Sequence, residues 1–256
     1  MKKVLLIGIG AGNPDYVTMQ AVKALNEVDV FFFLDKGEAK QDLVKLRTEI
    51  CERFVTDRSY RVVEVESPER DASSASYKAG VDAWHRDKAA IFTQLIGEEL
   101  RDGEVGAFLV WGDPSLYDST IRIVHQILAD GRIAFDYDII PGITSVQALA
   151  AQHRIALNTI GEPVHITTGR RLNEGLPPQI DTAVIMLDNG SGLRALAGED
   201  VDIYWGAYLG TPDEVLISGK LSECMDEIER VRAEERSRKG WIMDTYLLRR
   251  APSDRG

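Results

Sequence analysis

Apolar residues come in short unbroken runs that end in glycine, proline or a polar turn, and between the runs they recur at helical spacing. "KKVLLIGIG" opens the pattern. A run with no polar alternation reads as a strand buried on both faces, as in a parallel sheet. "DVFFFLD" and "VGAFLVW" repeat that signature, "RVVEV" is a candidate third strand, and "FDYDII" alternates and reads as half-buried. Between the runs, helical spacing marks Val17, Ala21, Val22, Leu25 and Val28, then Leu43, Leu46 and Ile50. Tyr77, Val81 and Trp84 share one face, as do Phe92, Ile96 and Leu100, and Ile121, Val124 and Leu128 begin another helix. Strands alternating with helices in this way predict an α/β architecture with a largely parallel sheet.

The second half is richer in strand. "PVHITTG", "TAVIML", "DIYWGAYLG", "EVLISGKL" and "WIMDTYLL" are strand candidates, and only Leu221, Met225, Ile228 and Val231 mark a long amphipathic helix. The expectation is two α/β lobes, residues 1–138 with a parallel sheet and residues 139–256 with a mixed one, the break falling near "IIPGIT". The polar tail "RRAPSDRG" is expected to fray.

Composition removes several classes of function. The chain has 256 residues, enough for one large domain or two compact lobes. A formal charge of −11, from 30 basic and 41 acidic residues, argues against a nucleic-acid surface, which needs a basic field. No apolar stretch is long enough to cross a bilayer. The opening run breaks into a glycine turn where a signal peptide would have a small-residue cleavage site. Cys51 and Cys224 form no disulfide framework or zinc pattern, and His85, His125, His153 and His165 lack the spacing of a helical metal site. A cytoplasmic protein without a metal is expected.

Chemistry is expected where strands end in glycine. Gly8, Gly10 and Gly12 invite the dinucleotide fingerprint, but Asn13 stands at its third glycine and Pro14–Asp15 delay the helix. No Gly-Lys-Ser/Thr follows, so the loop is not a P-loop. "GDPSLY" and "PGITS" also follow strands. In a parallel sheet such loops lie on one edge, and ligands bind outside it. Asp113, between Gly112 and Pro114, reads equally as a ligand contact or as the carboxylate of a turn.

Gly-x-Gly-x-Gly followed by Thr, then Gly-Asp-Pro, then Pro-Gly-Ile-Thr, in this order, resembles the tetrapyrrole (corrin and porphyrin) methyltransferase family over nearly the whole chain. The resemblance implies S-adenosylmethionine as cofactor and S-adenosylhomocysteine as product. It also implies a tetrapyrrole substrate, a homodimer, and two α/β lobes with the active site in the cleft between them. Carried over by position, the cofactor contacts are Gly10 and Ala11, then Trp111, Gly112, Asp113 and Leu116, then Thr144 and Ser145, with Leu187, Tyr208 and Leu209 in the second half. The chain departs from relatives at Ala11, where Pro is common, and at Leu187, where Met is common.

Asp35, directly after "VFFFL", and Tyr117 are the candidate catalytic groups. Asp35 reads alternatively as a helix cap or surface carboxylate, and Tyr117 as a packed aromatic or cleft wall. Arg154, Arg170 and Arg171 are candidate partners for the substrate's carboxylates, since guanidinium pairs carboxylate in bidentate fashion; the alternative is solvated surface arginines. Three other readings are open: a different tetrapyrrole position, an NAD-dependent oxidoreductase, and a non-catalytic adenosylmethionine-binding protein.

Overall fold

The computed structural model describes residues 1–35, 41–56, 59–68, 77–172 and 175–250. It divides into two units, Met1–Thr144 and Ser145–Gly256.

In the first unit the apolar runs are the strands of one sheet: β1 (Lys2–Gly8), β2 (Val30–Asp35), β3 (Arg61–Glu66), β4 (Val105–Val110) and β5 (Phe135–Ile140). Their order is β3-β2-β4-β1-β5, and every pairing is parallel. Helices α1 (Met19–Leu25), α2 (Gln41–Phe54), α3 (Tyr77–Gln94) and α4 (Thr120–Asp130) connect them. The two-residue period of a strand divides each run between two cores. Leu5, Ile7, Phe31 and Phe33 meet Ala21 and Leu25 of α1 and Leu46 and Ile50 of α2. Val4, Leu6, Phe32 and Phe108 meet Phe92 of α3 and Ile123, Val124 and Ile127 of α4 on the other face. Both faces of the central strands β1, β2 and β4 are covered, which is why these three show no polar alternation, whereas the edge strands β3 and β5 are partly exposed. The apolar positions 92 to 100 are not a separate helix, because α3 continues into a π-helical turn at Leu95–Glu99.

This connectivity makes a switch point. The chain leaves β1 toward one face, through α1, and leaves the adjacent β4 toward the other, through α4. The two departing loops open a crevice at the carboxyl edge, the place where open α/β sheets bind ligands.

The second unit holds a mixed sheet of β6 (Val164–Thr168), β7 (Thr182–Met186), β8 (Val201–Ala207), β9 (Val215–Lys220) and β10 (Asp244–Arg250), in the order β6-β7-β10-β8-β9. Only β6 and β7 run parallel. Its helices are α5 (Ser145–His153), the short α6 (Ser191–Arg194) and α7 (Leu221–Lys239). Leu221, Cys224 and Ile228 of α7 pack on Ile203, Trp205, Tyr246 and Leu248 of the sheet. Residue 138, where the expected boundary falls, lies within β5, and β5 stays whole because it pairs with β1 along its length. β10 starts three residues after Trp241, and β8 stops before Tyr208, whose φ of 49° breaks the extended backbone.

Candidate active site

Backbone builds the crevice of the first unit. Gly10 and Gly112 form an isolated antiparallel bridge between the loops after β1 and β4, with Gly10 N–H to Gly112 carbonyl at 3.2 Å and the reverse bond at 2.8 Å. The loop after β5 packs against both. A Cβ on Gly142 would lie 2.0 Å from the Gly112 carbonyl oxygen and 2.9 Å from Gly8 Cα, so only glycine permits three backbones to meet there. Gly112 itself has φ 68°, and a Cβ on it would find only Thr144 Cα, 3.8 Å away. The space above Gly112 is therefore open, and a ligand can approach its backbone.

Asp113 fastens this arrangement. One carboxylate oxygen accepts the Gly142 N–H at 2.8 Å; the other accepts the Ser115 N–H at 2.8 Å and the Ser115 hydroxyl. Burial alone would raise its pKa, but the bonds from Ser115 and Gly142 outweigh burial and hold it below the ordinary carboxylate value. The side chain thus ties the loop after β4 to the loop after β5. Ala11 is buried beside Gly10, Leu116 closes the turn through its N–H to the Asp113 carbonyl at 3.2 Å, and Trp111 packs on the α1–α2 core. Trp111 Nε1 is buried with no hydrogen-bond partner among the described residues.

The first loop does not deliver a helix N-terminus to the glycines. Asn13 caps a 3₁₀ turn at Pro14–Tyr16, Thr18 caps α1, and the helix begins only at Met19. A dinucleotide pyrophosphate needs that N-terminus at the second glycine.

Tyr117, at φ 52°, projects from the loop after β4 and is 42% exposed; partial burial raises its phenol pKa, so it remains a proton donor at neutral pH. Asp35 closes β2 on the same edge, in register with Glu66; its side chain lies outside the described residues. α4 begins seven residues after Asp113 and packs on the same face of the sheet as α3, with α2 on the other face. Arg47 of α2 donates Nε to the Leu109 carbonyl of β4 at 3.2 Å. Lys88 of α3 is buried.

The remaining candidates belong to the second unit. Ser145 begins α5, its hydroxyl 3.3 Å from that of Thr245. Leu187 follows β7 at φ 53° with 67% of its surface exposed, an unusual state for a leucine. Tyr208 follows β8 and is buried: its hydroxyl donates to the Trp241 carbonyl at 2.6 Å, and its own carbonyl accepts from Thr211. Leu209 is buried beside it. Arg154, at φ 56°, is the left-handed residue that ends α5, followed by the Ile155 N–H bonding back to the Ala150 carbonyl at 3.0 Å. Arg170 and Arg171 lie exposed in a 3₁₀ turn after β6.

Leu187 is held by a buried polar network that the hydrophobic pattern does not announce. Asp188 accepts N–H bonds from Gly190, Gly192 and Leu193 and the Tyr246 hydroxyl at 2.8 Å. Arg232 donates to the Asp188 carbonyl at 2.7 Å and pairs with Asp244 at 3.2 Å, which also accepts from Trp205 Nε1. The legible signal was Arg232, which continues the spacing of Leu221, Cys224 and Ile228 on the buried face of α7. The Nε2 of His153 meets the Trp205 carbonyl at 3.0 Å.

Known proteins match this chain along most of its length. Residues 3–224 match the family described as Tetrapyrrole (Corrin/Porphyrin) Methylases. A Sinorhizobium protein, precorrin-6A synthase [deacetylating], is 52% identical over 250 residues, covering 98% of this chain and 96% of that one. A cobalamin synthesis related protein from Corynebacterium diphtheriae superposes with a TM-score of 0.84 at 37% identity, over 98% of this chain and 100% of that one. A uroporphyrin-III C-methyl transferase from Thermus thermophilus, complexed with S-adenyl homocysteine, shares the fold at a TM-score of 0.54 and 17% identity, with 96% of each chain covered.

Proposed function

The chain belongs to the tetrapyrrole (corrin/porphyrin) methylase family, and from that premise we propose that it methylates precorrin-5 at ring carbon 1 and releases the acetyl group as acetate, giving precorrin-6A. The observation that carries the specific step is the 52% identity, over nearly all of both chains, to a precorrin-6A synthase.

S-adenosylmethionine, when bound, supplies an electrophilic methyl group on a sulfonium sulfur and departs as S-adenosylhomocysteine. The glycine crevice fits such a group: it offers backbone N–H and carbonyl groups around the open face of Gly112. In this reading the cofactor contacts are Gly10, Ala11, Trp111, Gly112, Asp113, Leu116, Thr144, Ser145, Leu187, Tyr208 and Leu209. The macrocycle loses one carbon–carbon bond to the acetyl group and gains one carbon–methyl bond; the oxygen of water leaves in acetate and its protons are released.

The protein's task is alignment and exclusion of bulk water. Asp35 takes the pyrrolic N–H proton as electron density moves toward the reacting carbon, and Tyr117 donates a hydrogen bond to the acetyl carbonyl. Arg154, Arg170 and Arg171 receive carboxylates of the macrocycle. The enzyme acts as a cytoplasmic homodimer in this reading, which light scattering on the purified protein tests. No helix among the described residues is long and apolar enough to cross a membrane.

Anaerobic incubation with precorrin-5 and methyl-labelled S-adenosylmethionine tests the activity. Label in the macrocycle with one acetate per methyl is the expected result. Label without acetate would move the reaction to another ring position, and binding of the cofactor without transfer would reduce the protein to a binder.

A further inference from the structure

Lys88 is an anomaly in the first unit. It lies on the apolar face of α3 at the spacing that continues Val81 and Trp84 and precedes Phe92, and only 6% of its surface is exposed. Among the described residues its ammonium makes no hydrogen bond and no ion pair within 4 Å. Its close company is aromatic: the Trp84 ring at 4.6 Å and the Phe92 ring at 5.7 Å. Cation–π contact replaces only part of the hydration a buried ammonium gives up.

Its position relates it to the ligand edge. α3 leaves the carboxyl end of β3 and returns to the amino end of β4, so it runs against the strands. Phe92 stacks on Phe108 of β4, with ring centroids 4.0 Å apart. One turn back along the helix, about 5.4 Å nearer the carboxyl edge, lies Lys88, level with the end of β4. Trp84, a turn farther, donates Nε1 to the carbonyl of Pro68 just past β3, at 2.8 Å. Arg47 reaches the same end of β4 from α2 through the Leu109 carbonyl, and both cations lie within electrostatic range of Asp118, next to Tyr117. Lys88 thus has no close counter-ion among the described residues, on an edge of a protein with formal charge −11.

We propose that Lys88, backed by Arg47, receives a carboxylate side chain of the macrocycle and so sets the substrate's orientation against the loop that carries Tyr117. The inference rests on the tetrapyrrole reading of the preceding subsection. Asp118 offsets the Lys88 charge from beyond ion-pair range, and a tetrapyrrole with many carboxylates brings a closer anion. Burial lowers the Lys88 pKa, Asp118 opposes that and Arg47 adds to it; a bound carboxylate raises it again and keeps the ammonium protonated in the complex.

The test uses K88M, which keeps the side-chain length and deletes the charge, beside K88R, which keeps the charge. Methyl transfer to precorrin-5 is followed under anaerobic conditions, and S-adenosylhomocysteine binding by calorimetry. K88M is expected to raise the macrocycle KM by about tenfold or more, with kcat within about threefold and the S-adenosylhomocysteine Kd within about twofold. K88R is expected to recover most of the KM. An unchanged KM in K88M overturns the proposal, as does a fall in kcat with weakened S-adenosylhomocysteine binding, which would mean that Lys88 acts through the Asp118 loop. K88Q supplies the same readouts if K88M does not fold. Absence of turnover in the unaltered protein would instead refute the assigned reaction, so the two failures are separable.

Discussion

Among the described residues, four that are not glycine have positive φ: Tyr117, Arg154, Leu187 and Tyr208. All four were picked out from sequence as site candidates, for reasons unrelated to backbone angle. Arg154 has a local cause, the end of α5; the other three directly follow strands or a strand-end turn, where strained backbone often serves a ligand. Leu187 gives the sharpest test, because an exposed leucine contributes no packing. Leu187→Asn, whose side chain tolerates the left-handed region, should stabilise the fold by about 1 kcal/mol while weakening S-adenosylhomocysteine binding; thermal unfolding and calorimetry read the two effects separately. Gly142→Ala works in the opposite sense. Its methyl group meets backbone and not a side chain that can swing away, so the expected cost is at least about 2–3 kcal/mol, with loss of cofactor binding in whatever protein folds.

At the level of elements, the site depends on loops being tied to one another. Asp113 joins the turns after β4 and β5, and its pKa is depressed in the folded state. A depressed carboxylate stabilises the fold fully above its unfolded pKa of about 3.9, and that contribution is lost as pH falls through the lower folded value. Asp113→Asn should therefore cost about 1–2 kcal/mol at pH 7 and flatten the acid limb of the stability profile, measurable by denaturant unfolding between neutral and acidic pH. In the second unit, Arg232 is the cation paired with Asp188 and Asp244 within the packed core. Arg232→Met leaves two buried carboxylates without their cation and should destabilise by about 3–5 kcal/mol. Helix α5, like the short α6, is not marked by the hydrophobic pattern. Its buried residues are Val146, Ala148, Leu149 and Ala150, and small alanines do not raise the periodic signal that large side chains do.

For the molecule as a whole, acidity and ligand choice have to be reconciled. A chain at −11 repels a polycarboxylate at long range, and screening confines that repulsion to about 8 Å at physiological salt. Recognition then falls to a few local cations, of which Lys88 is the most deeply enclosed. Cofactor choice is checked at the same scale. S-adenosylhomocysteine at about 100 times its Kd should stabilise the native state by about 2.7 kcal/mol and raise the unfolding midpoint by about 5–10 °C. NAD should leave the midpoint unchanged, since the first loop has no helix N-terminus for a pyrophosphate.

The sequence by itself determined the strands and the class of fold. A run such as "VFFFL" can be satisfied only by burial on both faces, and the glycines that end such runs mark where backbone must come close. It also carried the family, through three glycine turns in a particular order. Only the tertiary structure decided which turns meet. The contact of Gly8, Gly112 and Gly142 depends on β4 and β5 pairing with β1 on either side, which no local pattern encodes. The same holds for Lys88 and Asp188. A charge inside the protein is identified by what surrounds it, and its neighbours come from strands and helices far away in the chain.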